Sequence, residues 1–393
     1  MVRINGRRRR YILFYGSVQV GIEKFIIFIK TLKKIFHAII LTFNIIAAIS
    51  LALACLCGFI NPKTIWWIGF FGLAYVYLLV INICFAAFWA FSSKKIFALI
   101  SFVTILAGWN FVGKHIQIFE KAIPEEKLDD SFKIVSFNVQ GFLQMNSRQP
   151  NGEMLNIFDF FNEIDADIIC MQEFVTDRRR NTDAQSLRRY LGNMPYSHSE
   201  LPGGYFGVAT FSKYPIIRRE LIYSDRTTNA CISTDIVIEN DTVRVYNVHL
   251  KSVAFNNDEK HLLNNVVKKE YDRADIRTII SILRNLKNSS LQREKQVELL
   301  MAHIAQSPYP VVICGDFNDP PASHTYRILR GNRKDAFVEA GSGRSTTYDI
   351  GKIASLRIDY IMYSDYFRAY DYKSPRVHIS DHFPVLCRLV RQQ

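Results

Sequence analysis

The chain has 393 residues, 49% of them hydrophobic and 13% aromatic, with a formal net charge of +13. It is long enough for one large domain plus a further segment, richer in apolar residues than an ordinary soluble enzyme and poorer than a pure transporter. The charge is concentrated early, with 15 Lys and Arg against 6 Asp and Glu in residues 1–130 and 34 against 30 beyond, so net charge makes only a weak case for nucleic-acid binding by the folded part.

Arg7, Arg8, Arg9 and Arg10 open the chain, and Tyr11 to Ile22 is too short and interrupted to span a membrane, which suits an interfacial position. Three charge-free apolar runs follow, at Ala38 to Ile60, Thr64 to Ser93 and Ile96 to Gly113. A spanning helix needs about 20 apolar residues, so the first two qualify easily and the third just does. Asn61-Pro62-Lys63 and Ser92-Ser93-Lys94-Lys95 separate them. The pattern of a cleaved signal peptide is absent. The arginine cluster, Lys30, Lys33 and Lys34, and later Lys94 and Lys95, are expected on the cytoplasmic side. Three crossings then carry everything after Gly113 to the periplasm or exterior; without the third, it stays in the cytoplasm. The charged stretch Pro124 to Asp130 reads as a tether. The expected division is a basic cytoplasmic or interfacial segment over 1–34, a transmembrane region over 35–119, a linker over 120–131 and a globular domain over 132–393 of an integral inner-membrane protein.

From Phe132 the pattern alternates. Phe132 to Val139 is apolar on both faces, as a strand between two layers would be. Met154, Ile157, Phe158 and Phe161 repeat at helical spacing, and Asp167 to Met171 returns to strand. Further strands are expected at Gly207 to Phe211, Cys231 to Ile238, Val243 to Leu250, Val311 to Cys314, Ile358 to Met362 and Val385 to Leu389. Between Leu250 and Tyr309 lies a helical insert, a lid or a packing extension, with Ile276, Ile279, Ile280 and Leu283 on one face and Val297, Leu300, Met301 and Ile304 on another. The alternation predicts a layered α/β sandwich. The seven cysteines show no metal-like pairing and read as buried thiols; a disulfide among Cys170, Cys231, Cys314 and Cys387 stays open if the domain lies outside the cytoplasm.

Polar residues interrupt the apolar strands at their ends: Asn138, Glu173, His249, Asp316 with Asn318, Asp359, and Asp381 with His382. Taken singly, Asp316 and Asn318 are turn formers and His249 a satisfied core histidine. Together, carboxylates, amides and imidazoles at several strand ends can converge on one cleft. Arg178, Arg179 and Arg180 read as a solvated turn, with a phosphate contact as the other reading.

Six blocks stand in order: Ser-Phe-Asn138-Val, Met-Gln-Glu173, Asn-Val-His249-Leu, Gly-Asp316-Phe-Asn318-Asp-Pro, Arg-Ile-Asp359-Tyr-Ile and Ser-Asp381-His382-Phe-Pro. This series resembles the endonuclease/exonuclease/phosphatase superfamily. The resemblance implies a DNase I-like four-layer α/β sandwich, here preceded by a bundle of about three transmembrane helices. It implies a hydrolase of phosphodiesters using Mg²⁺, with Mn²⁺ as a substitute. Glu173 would be the principal metal ligand, with Asn138 and Asp381 nearby. Asp316 would orient or deprotonate the attacking water and Asn318 fix its position. His382, kept protonated by Asp359, would clamp the phosphate, and His249 would be a second donor. The implied substrate is nucleic acid or a lipid headgroup at the membrane lipid bilayer; no protein partner is inferable. A tethered scaffold without chemistry would need a broken block, and none is broken. Two departures stand out: Gln140 replaces the acidic residue or Asn common two positions after the first Asn, and Gly203 to Ala209 supplies no clear second Glu or Asn.

Overall fold

The computed structural model describes residues 6–180, 182–192, 194–225, 228–253, 275–350 and 354–392. The chain divides into two compact units, Met1–Ala52 with Tyr77–Ala107, and Leu53–Val76 with Gly108–Gln393. The first part of the expected insert, residues 254–274, lies outside the described residues.

The first unit is helical. Helix α1 runs unbroken over Gly6–Cys57, taking in the stretch expected to lie along an interface. Its portion Glu23–Cys57 is long and apolar enough to cross a membrane. The run expected over 64–93 is instead divided at Ala74 into Trp66–Leu73 and α3 (Tyr75–Ala90), and the third run contains the short helix α4 (Ala98–Ala107). A short helix, α2 (Gly69–Leu73), closes the first half of the divided run. Inside the first unit, Asn44 Nδ2 donates to Ser101 Oγ at 2.6 Å, Ser101 Oγ donates to Asn82 Oδ1 at 2.9 Å, and Asn82 Nδ2 donates to the Ala47 carbonyl at 3.0 Å. All three polar side chains are fully buried, while Phe43, Ile46, Val80 and Val103 are exposed.

The second unit is built on two six-stranded sheets. In chain order the strands are β1 (Ser131–Asn138), β2 (Ile168–Val175), β3 (Tyr196–Glu200), β4 (Phe206–Ser212), β5 (Ile216–Ser224), β6 (Ala230–Ile238), β7 (Asp241–His249), β8 (Val311–Asp316), β9 (Lys334–Asp335), β10 (Asp359–Tyr363), β11 (Phe367–Lys373) and β12 (Val385–Arg391). One sheet has the order β11-β12-β1-β2-β4-β3 and the other β9-β10-β8-β7-β6-β5. Among the described strands, β1–β2 and β7–β8 pair in parallel and the other neighbours antiparallel. Alternate side chains point to opposite faces of a strand, so both-face apolarity places each central strand between two layers. Ile134, Cys170, Val245, Cys314, Ile361 and Cys387 fill the space between the sheets. On the far side of the first sheet, Phe137 and Met171 pack on α5 (Ile157–Ile164) and α6 (Ala184–Tyr190) through Phe160, Phe161 and Leu187. On the far side of the second, Tyr246 and Ile313 pack on α7 (Asp275–Ile304) and α8 (His324–Arg330) through Val297, Leu300 and Tyr326. The result is helix, sheet, sheet, helix, the four-layer sandwich expected. Caps set the helix starts: Asn156 accepts from Phe158 N, Asp183 from Gln185 N, and Ser323 from Tyr326 N. All seven cysteines are free thiols.

The start of the expected linker over 120–131 is hydrogen-bonded to this unit, with Ile123 N donating to Asp371 Oδ1 at 3.0 Å and Lys121 N to the Ala340 carbonyl. Residues 53–76 also belong to it, an arrangement that apolar content alone did not suggest. Asn61 Nδ2 donates to Glu294 Oε1 at 2.7 Å, and Lys63 pairs with Glu298, both on α7. The Arg327 guanidinium of α8 lies 4.3 Å from the ring centre of Phe59.

Candidate functional site

Strand register brings the predicted residues together. His249 pairs with Asp316 across β7–β8, and Asp316 with Asp359 across β8–β10, so three of them stand abreast at one end of the second sheet. Asn138 pairs with Gln172 at the matching end of the first sheet, one residue before Glu173. The loop carrying Asp381 and His382 leads into β12 beside β1 and is held by Ser380 Oγ, which donates to the Asn138 carbonyl at 2.8 Å.

Backbone geometry aims two of the side chains. Glu173 has φ 50° and sits where the β2–β4 register slips between Gln172 and Phe174, a bulge that inserts one residue and redirects its side chain. Asn318 has φ 52°; its N–H donates to Asp316 Oδ1 at 2.8 Å and its Nδ2 to the Leu250 carbonyl at 3.0 Å. Left-handed backbone at non-glycine residues costs free energy and clusters at functional sites. Gly315, at φ 144°, lets β8 approach β7: a Cβ there would lie 1.9 Å from the Val248 carbonyl oxygen.

The side chains form a connected network. Asn138 Nδ2 donates to Glu173 Oε1 and to Asp316 Oδ2, each at 3.2 Å. His249 Nδ1 donates to the Thr228 carbonyl at 3.0 Å, which turns Nε2 toward Asp316 Oδ2 at 3.7 Å and Glu173 Oε1 at 3.8 Å. His382 Nδ1 lies 3.0 Å from Asp359 Oδ2, and its Nε2 lies 3.7 Å from Asp316 Oδ2. Burial opposes charge on His382, but the carboxylates of Asp359 and Asp316 outweigh it and hold the imidazole up at about 10. Burial also raises Asp316, with His382 pulling the other way, and raises Asp381, whose charge is further disfavoured by Glu173.

All eight predicted residues lie in this network or on its rim. Asp316, Asn318, Asp381, His382 and Glu173 line one side of a cavity of ≈ 520 Å³. Arg178 to Arg180 form a single 3-10 turn at a second hollow that shares Glu173 with the first. Several contributors had no sequence signal strong enough to find them. Tyr348 packs on His382 with ring centres 4.6 Å apart, and burial lifts its hydroxyl to about 12, so it stays protonated. Thr347 Oγ1 accepts from the N–H groups of Ile358 and Asp359. Asn229, at the start of buried β6, has Nδ2 within 3.4 Å of His249 Nε2; a polar residue entering a buried strand was the available signal. Beneath the site, Asn247 Nδ2 donates to the carbonyls of Met171 and Ala209, and Gln172 Nε2 donates to Asn247 Oδ1 at 2.8 Å, pinning one sheet to the other.

The donor chemistry suits a hard divalent cation. Glu173 and Asp381 offer carboxylate oxygens in a cleft where burial and the charge of Glu173 raise Asp381, and the Asn138 amide stands beside them. Asp316, Asp359 and His382 also come within 4.8 Å of one another, but an imidazolium has no lone pair to give a metal, so the oxygen set is the better cradle.

Residues 135–382 match the model of the Endonuclease/Exonuclease/phosphatase family. The chain belongs to that family. Residues 34–115 match a domain of unknown function. Truncated TDP2 of Caenorhabditis elegans is similar at 18% identity and a TM-score of 0.43, over 68% of this chain and 100% of that one. A family protein from Leptotrichia buccalis gives 18% and 0.42 over 66% and 99%. The human Nocturnin catalytic domain with bound sulfate gives 15% and 0.44 over 70% and 98%. No curated protein matches. Members of this family are typically phosphoesterases and generally depend on a divalent metal.

Proposed function

We propose that the chain is a membrane-anchored, divalent-metal-dependent phosphodiester hydrolase whose catalytic domain spans residues 132–393. The observation that carries this reading is the convergence of six sequence-separated blocks on one cleft, with a protonated His382 set opposite carboxylates. A Mg²⁺ or Mn²⁺ ion held by Glu173, with Asn138 and Asp381, would neutralise charge that develops on the phosphoryl oxygens. Asp316, its carboxyl raised by burial, takes the proton of the attacking water, and Asn318 fixes that water. His382 donates from Nε2 to a phosphoryl oxygen while Asp359 holds Nδ1, and His249 would be the second donor when its Nε2 also carries a proton. Water adds to phosphorus as one ester P–O bond breaks; the products are a phosphomonoester and an alcohol.

Anchoring is supported by the inverted polarity of the first unit, where Asn44, Ser101 and Asn82 are inside and large apolar side chains outside. In water that arrangement is unfavourable; in hydrocarbon it is the stable one.

Purified full-length chain with Mg²⁺ is tested on plasmid DNA, RNA, phospholipids and inositol phosphates. Turnover of at least one phosphodiester is expected, falling at least ~100-fold in Glu173→Gln and in metal-free buffer. Undiminished turnover in either arm would refute the metal assignment.

A further inference from the structure

Besides the reacting residues, the same cavity is lined by Cys57, Ile60, Trp66, Ile68, Phe70 and Leu73. None of these comes from the four-layer sandwich. They belong to the loop and short helix between the end of α1 at Cys57 and the start of α3 at Tyr75. The wall is fastened in place: Asn61 and Lys63 bond to α7, the Lys287 ammonium lies 5.5 Å from the Trp66 ring centre, and a Cβ on Gly72 would collide with Cys57 Sγ. Trp66 and Phe70 are nevertheless only half-buried, and Leu73 is exposed, so apolar surface is left uncovered beside a charged reaction centre.

A sugar phosphate has nothing to place on such a wall; a nucleobase could stack on Trp66 or Phe70, but it leaves the aliphatic surface of Ile60, Ile68 and Leu73 unmatched. A hydrocarbon chain attached to a phosphoester does, and each buried methylene contributes about 0.8 kcal/mol, or about fourfold in binding. We infer that the substrate is an amphiphile, a phosphodiester lipid whose phosphate sits at Asp316 and His382 and whose tail lies along Trp66, Phe70 and Leu73. This rests on the phosphodiesterase reading above and narrows it to one substrate class.

The test uses full-length protein in lipid nanodiscs with Mg²⁺ and three p-nitrophenyl phosphodiesters bearing a methyl, butyl or octyl group, each kept below its micellar concentration. The leaving group is the same throughout, so chain length is the only variable. The expected result is a rise in kcat/KM of at least about 10-fold from methyl to octyl. Trp66→Ser and, separately, Ile60→Ser should compress that octyl-to-methyl ratio to within about twofold of one. A non-hydrolysable octyl phosphonate with a photoactivatable tail should label peptides within residues 57–73, which reports on the wall without relying on either variant's folding. Hydrolysis of all three esters at equal rates, or labelling only elsewhere, would overturn the lipid assignment and leave the phosphodiesterase reading standing. No hydrolysis of any ester, together with a silent substrate panel, would remove both.

Discussion

His382 is held charged by its neighbours against the cost of burial, and that balance can be tipped by one atom. In Asp359→Asn the pair loses its strongest attraction, burial prevails, and the imidazole should fall from about 10 toward or below its ordinary 6.5. Activity that needs the imidazolium should then decline above about pH 7 instead of persisting to about pH 9, as read from kcat/KM against pH. An alkaline limb that does not move would mean His382 is not the phosphate donor. The same shift bears on stability. A folded-state value raised above the unfolded one stabilises the fold fully below about pH 6.5, and the contribution is lost as pH climbs through 10. Thermal unfolding of the native chain across pH 6.5 to 10 should show that loss, and Asp359→Asn should flatten it.

At the scale of strands and loops, the site depends on two sheets meeting with fixed spacing. Gly315→Ala would force a Cβ into the Val248 carbonyl, and no side-chain rotation relieves backbone contact. The expected cost is about 3 kcal/mol or more in denaturant unfolding, together with loss of turnover as Asp316 moves. Asn247→Leu strands two carbonyls and Gln172 in the core and should cost about 2–4 kcal/mol while leaving the catalytic side chains themselves intact. Full stability in either variant would contradict the packing described. This scale also separates what the sequence made legible from what it did not. Asn138, Asp316 and Asp359 could be found because a polar residue at the end of an apolar strand breaks an otherwise continuous pattern. The bulge at Glu173 could not, since a period of two does not foretell an inserted residue. Thr347 and Tyr348 lie at the start of a three-residue strand, Tyr348–Ile350, too short to show a period. The break at Ala74 and the cavity lining by Trp66 and Phe70 had no signal in the run expected over 64–93, because composition is the same whether an apolar side chain faces lipid or a cavity.

At the scale of the whole molecule, the proposed anchoring predicts that alkaline carbonate leaves the chain in the membrane fraction and that detergent releases it. Appearance in the carbonate supernatant would remove the membrane from the account. Protease added to intact spheroplasts should digest the C-terminal domain if it lies outside the cytoplasm, and protection there would reverse the orientation. The fastening of residues 53–76 onto α7 has a practical corollary for anyone wanting to express the sandwich alone. Trimming the chain at Phe132, where sequence comparison would invite the cut, keeps every reactive group and discards the apolar stretch from Cys57 to Leu73 that lines the chamber they face. Such a fragment could still cleave small esters while having forgotten what it was shaped to hold, and its preferences would describe the scissors more than the hand.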